Sequence, residues 1–365
     1  MAPPDWLPLA AGVVAGGAAG FSVRRANLCS FGAIESLWLA GDALRLRVYG
    51  LALVVAIAGT QALVLLGWVD LAGIRMLPTV LPLGAALLGG LLFGLGMALA
   101  GTCAFGMLLR LGGGDLRALV VLLVFGAVAW SALAGVLAPA GAAVFMLAAV
   151  PLPAPDLPGL LGLASAEGRG LVAAGIVLAL SIWIIADARL RRAPRLMLAG
   201  SVLGAAVVLG WAATGTAADP FSSQTRPPYS LSFVAPVARA IYALLLAPGS
   251  SAGLGGGSVI GAILGAFVAA KAKDEFRWDA FDDPREMGRH MAGACLMAVG
   301  GVWASGCTIG QGLTAGSVLA PSWPFAVGGI FAGARIGVAI LVEGGILPAV
   351  KSVWSVWAGI WTTHD

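Results

Sequence analysis

Three short stretches of the chain share one pattern: a cysteine, two residues, then a glycine. They are CSFG at 29–32, CAFG at 103–106 and CTIG at 307–310. A thiol is a weak donor and a soft acceptor. A hard oxyanion such as sulfate or phosphate would be held better by serine. Thiols at Cys29, Cys103 and Cys307 therefore suit a soft, sulfur-bearing anion. The competing reading is that a buried cysteine packs as a small hydrophobe. That reading fits Cys295, which lies in an apolar run outside the pattern, better than three cysteines in one local pattern.

Each pattern opens a short apolar segment, and each glycine (Gly32, Gly106 and Gly310) lets backbone pack closely. If the segments are half-helices, their free N–H groups surround the cysteines. Such an end carries positive partial charge and binds anions without a full cation. The flanking residues Gly101, Thr102, Gly306, Thr308 and Gln311 make these turns polar and loose, as a cavity lining inside a membrane would be. Two arginines are candidates for attracting the anion. Arg335 sits within an apolar run, where it would attract the anion, pair with an acid or snorkel. Arg25 adjoins the first turn, where it adds positive potential or marks the cytoplasmic side. His290 and His364 are the only histidines, too few for a metal cluster. No cofactor motif or catalytic triad is visible, so neither a cofactor nor an enzyme is expected.

The elements that must position these residues are membrane helices. Of 365 residues, 60% are hydrophobic and 10% charged, and the mean hydropathy is +0.97. A soluble domain carries about 25% charge, so the chain reads as an all-α integral membrane protein. The apolar runs are continuous and do not alternate, unlike β-barrel strands. Spans are expected at 7–23, 46–69, 80–100, 116–137, 170–186, 196–214, 254–270, 291–304 and 325–341. Re-entrant half-helices are expected at 30–40, 104–111, 233–246 and 309–320, with Pro220, Pro227, Pro228 and Pro236 breaking the chain around the third. Arg110, followed by LGGGD, reads as a helix stop.

Basic residues favour the cytoplasmic side. Arg189, Arg191, Arg192 and Arg195 place their loop inside. Counting outward puts Arg24, Arg25, Arg45, Arg47, Arg110, Arg117, Lys271 and Lys273 on the same side, with Arg75, Arg169 and Arg226 outside. The N-terminus is then extracytoplasmic and the C-terminus cytoplasmic. The mixed-charge stretch 271–290 reads as a solvated cytoplasmic loop. Trp354, Trp357 and Trp361 read as an interfacial belt.

GMALAGTCAFG (96–106) and GGVWASGCTIG (300–310) match in cysteine and glycine placement. A weaker match links 11–21 with 199–211. The chain thus divides into a first repeat at 1–140, a connector with the fifth span at 141–195, a second, inverted repeat at 196–345 and an interfacial tail at 346–365. Inverted repeats place a substrate site at their interface.

Taken together, GLLFGLGMALAGTCAFGMLLRLGGG, GGVWASGCTIGQGLTAGSVLA and RRANLCSFGAIES closely resemble the YeeE/YedE sulfur-transport family. The resemblance covers most of the chain. It implies an inner-membrane permease for thiosulfate, with functional cysteines at Cys29, Cys103 and Cys307 and often a soluble sulfur-carrier partner of the TusA type. It departs at Asn27, where a basic residue is expected. The alternatives are another sulfur or selenium anion as substrate, a membrane thiol-redox or sulfur-transfer enzyme, or a structural scaffold.

Overall fold

The computed structural model describes residues 6–71, 73–215, 227–246, 253–280 and 283–344. Pro220, Arg226, His364, the three C-terminal tryptophans and the 346–365 tail lie outside the described residues. In chain order the helices are α1 (Trp6–Arg25), α2 (Ser30–Ala40), α3 (Leu44–Leu65), α4 (Leu83–Ala100), α5 (Ala104–Gly112), α6 (Leu116–Ala134), α7 (Ala138–Met146) and α8 (Leu157–Leu160). They continue with α9 (Ala166–Ile185), α10 (Ala188–Arg191), α11 (Pro194–Gly215), α12 (Ala235–Leu246), α13 (Gly253–Lys271), α14 (Pro284–Trp303), a π-helix (Gly310–Ala315) and α15 (Trp323–Glu343). Two three-residue strands, β1 (Val80–Pro82) and β2 (Ala149–Pro151), pair antiparallel and tie the start of α4 to the segment after α7.

Eight stretches among the described residues are long and apolar enough to span a membrane, and the architecture is that of an all-α, multi-pass membrane protein. The ninth expected span, 291–304, is the apolar part of α14. Arg285, Glu286, Arg289 and His290 in its first turns lower its hydropathy, yet it packs between α4 and α6. The expected half-helices correspond to α2, α5 and α12. The fourth, at 309–320, is a π-helix over Gly310–Ala315.

The stretch 271–290 is not the free loop expected. Its last residues open α14. The Arg277 and Asp279 N–H groups donate to the Gly113 and Gly114 carbonyls, and the Leu116 N–H donates back to Asp279. Arg169, counted on the minority side by charge, forms an ion pair with the buried Asp156.

Glycine explains how closely the helices approach. A Cβ on Gly12, Gly16 or Gly20 of α1 would overlap the main chain of Leu254, Ser258 or Ala262 in α13. Gly94 of α4 and Gly333 of α15 meet backbone in the same way. Small residues of this kind are how membrane helices gain packing energy.

The packing also repeats. α1 packs on α13 as α11 does on α3, and α4 packs on α15 as α14 does on α6. α5 meets α13 and α6, and the π-helix meets α3 and α15. α12 meets α6 and α13, and α2 meets α15 and α3. Each of these packings in 6–134 therefore has a counterpart when its helix is exchanged for the matching one in 194–343. α9 packs on α3 outside this scheme.

Candidate functional site

The three cysteine turns share one backbone design. Two residues before each cysteine the chain is left-handed: φ is 50° at Asn27, 67° at Gly101 and 59° at Ser305. The next N–H then donates to the carbonyl five residues back. Leu28 bonds Val23 at 3.0 Å, Thr102 bonds Met97 at 3.1 Å and Gly306 bonds Gly301 at 2.8 Å. This is the Schellman way of closing a helix, which favours glycine or asparagine at the left-handed position. Asn27 therefore stands where the backbone asks for it, which accounts for the absence of a basic residue there.

The cysteines then start the next segment. Cys29 and Cys103 are extended and N-cap α2 and α5. The Cys103 sulfur accepts from the Gly106 N–H at 3.4 Å, and the Cys307 sulfur from the Gly310 N–H at 3.4 Å. The Ile309 and Phe233 N–H groups also face Cys307. This explains the glycine three residues on: a Cβ at Gly106 would overlap the Thr102 hydroxyl, and one at Gly310 would press on Ser232. With its sulfur accepting from backbone, each of these two thiols keeps its S–H free to donate.

The turns meet. The Cys29 sulfur lies 3.9 Å from the Thr102 hydroxyl, and the Thr308 hydroxyl lies 3.3 Å from that of Ser30. The Ser30 and Thr308 hydroxyls and the Cys29 thiol all face Cys103, and Cys307 neighbours Cys103 in turn. The predicted Cys29, Cys103, Cys307, Thr102 and Thr308 are thus brought together. All four cysteines are free thiols; Cys103 and Cys307 are buried, Cys29 and Cys295 half-buried. Gln311 braces the third turn, donating to the Ala304 carbonyl at 2.6 Å, while its Oε1 is buried without a partner.

The two candidate cations lie elsewhere. Arg25 is exposed and turns back over the Phe21 ring of its own helix. Arg335 stacks on Trp38, 5.2 Å from the ring centre. Three members of the site had no place in the sequence reading of it. Ser30 follows Cys29 directly, so its polarity at the start of a half-helix was the available signal. Tyr49 of α3 faces Cys29, Cys103 and Ser30, with no motif to mark it. Arg45, an ordinary loop charge by sequence, places its guanidinium beside Gly32 of the first turn.

A polar cavity of about 460 Å³ adjoins the second turn, lined by Gly101, Arg24, Arg110, Arg117, Arg289 and His290 among others. A narrow extension passes Thr102.

A family model described as sulphur transport matches residues 25–336, which takes in all three cysteine turns. No curated protein matches the chain.

Proposed function

This chain belongs to the YeeE/YedE sulphur transport family, and on that premise we propose that it is a bacterial inner-membrane permease carrying thiosulfate through the cysteine cluster. One observation supports this reading above the rest: three thiol-bearing turns converge in the protein interior with hydroxyls between them, and backbone N–H groups point at two of the sulfurs. Thiosulfate presents one soft sulfur and three oxygens. The thiols donate S–H to its sulfur, while Ser30, Thr102, Thr308 and backbone N–H groups serve its oxygens. Helix-end partial charges offset its negative charge without a buried cation. No covalent bond to the anion forms; it is handed from one thiol to the next. Arg45, beside Gly32, draws it towards the first turn.

The matched packing and the single connecting span α9 support reading the two helix sets as inverted repeats. The basic residues at the ends of α1, α3, α5 and α13 support the cytoplasmic placing of that face, with the N-terminus outside. A soluble sulfur carrier of the TusA type is the proposed acceptor on that face, near Trp278, which is 70% exposed. Trp278→Glu is then expected to reduce crosslinking to a purified carrier and leave uptake alone; unchanged crosslinking removes the partner from this surface.

The direct test is uptake of radiolabelled thiosulfate into proteoliposomes. Excess unlabelled thiosulfate should suppress it, and equal sulfate far less. Uptake no greater than in empty liposomes, or equal competition by sulfate, overturns the assignment.

A further inference from the structure

Among the described residues no cysteine lines the cavity beside the second turn, yet its chemistry is specific. Four arginines line it and four carboxylates share the wall. Most of the carboxylates are engaged. Glu275 lies 3.9 Å from Arg24 and 3.6 Å from Lys273, and Asp115 lies 3.0 Å from Arg117. Glu286 lies 4.0 Å from Arg117 and 3.7 Å from His290. Among the described residues Arg110 and Arg289 have no carboxylate within ion-pair distance. The Nη2 of Arg110 donates instead to the Gly101 carbonyl at 3.0 Å. Gly101 is the left-handed residue on which the chain turns towards Cys103.

A main-chain carbonyl is a neutral acceptor, whereas an oxyanion carries a full charge and can offer a guanidinium two oxygens at once, which makes it the stronger partner. An oxyanion entering the cavity therefore competes with Gly101 for Arg110. We propose that this cavity is an anion-holding vestibule and that Arg110 couples its occupancy to the turn carrying Cys103. An oxyanion draws Arg110 off the Gly101 carbonyl and loosens that turn. The coupling rests on the transport reading only for which anion then passes on. Four arginines facing four carboxylates make the site a weak one, as a transit site must be if the anion is to leave.

The test uses the full chain and sulfate as probe, because sulfate cannot react with a thiol reagent. Maleimide labelling of Cys103 is followed by peptide mass spectrometry in sulfate against chloride at matched ionic strength. Sulfate should accelerate labelling saturably, by about tenfold, the weight of one charge-assisted hydrogen bond. Arg110→Met should label at the fast rate with no response to sulfate. Arg110→Lys, which keeps the charge but loses the planar fork, should respond more weakly than the native chain. Equal native rates in sulfate and chloride overturn the proposal without recourse to any variant. So does equal acceleration at Cys295, which would mean general loosening. Sulfate-responsive labelling in a protein that takes up no thiosulfate would remove the transport reading and leave the vestibule standing; uptake without the response does the reverse.

Discussion

Two residues before each site cysteine the backbone turns left-handed, and the side chain there is chosen by that turn and not by the substrate. Asn27→Gly is therefore expected to be tolerated. Asn27→Val, a β-branched residue forced to positive φ, should cost about 1–3 kcal/mol. Thermal unfolding of the two variants checks this, and equal melting would show that the turn can relax. The cysteines and their following glycines were legible in the sequence because the spacing is local: at Cys103 and Cys307 the sulfur accepts from the N–H of the glycine three residues on. Ser30 carried a signal in its polarity directly after Cys29, whereas Tyr49 and Arg45 carried none. Their place in the site depends on how α3 packs against the turns, and nothing in the local sequence of α3 records that.

Among the elements, the short segments were well marked because polar turns interrupt otherwise continuous apolar runs, and α2 and α5 begin where those turns end. The π-helix was hidden. Apolar periodicity over so few residues does not separate one helical form from another, and the segment's side-chain bonds, Thr314 to the Leu231 carbonyl and Gln311 to the Ala304 carbonyl, are tertiary or turn contacts that periodicity does not record. The charged first turns of α14 looked like loop because Arg117, the partner of Glu286, is distant in sequence. Glycine content predicted close packing but not its partners. Gly94→Val should now fail to assemble, since its side chain would enter the backbone of α15 at Ile330 and Ala334. Val at Gly175, which has nothing near it, should be tolerated. Yield of monodisperse protein after detergent extraction distinguishes them, and equal yields would contradict the packing described.

At the scale of the molecule, the loops on the basic face are clamped by Arg47, Asp187, Arg189 and Asp42. The Leu44 N–H and then the Arg189 guanidinium hold the Asp42 carboxyl below the ordinary carboxylate range. Arg189 does the same for Asp187. Groups lowered in this way add stability that is present above the unfolded carboxylate value of about 3.9 and is lost as pH falls through the lower folded values. Asp187→Asn should thus lower the melting temperature at neutral pH, and the gap to the native chain should close on acidification below about pH 4. A gap that persists unchanged would mean the clamp acts by shape alone. The overall architecture was readable from composition and charge, whereas the matched packing of the two helix sets needed the contacts themselves. Whether that packing encloses a substrate path is decided by thiosulfate uptake into proteoliposomes by the native chain, Cys29→Ala, Cys103→Ala, Cys307→Ala and Cys295→Ala. A lost hydrogen bond to a charged group is worth about 1.5–3 kcal/mol, so each of the first three variants should lose one to two decades of apparent affinity while folding normally. Cys295→Ala should transport like the native chain. Equal transport by all four variants would contradict the account and return the thiols to simple packing.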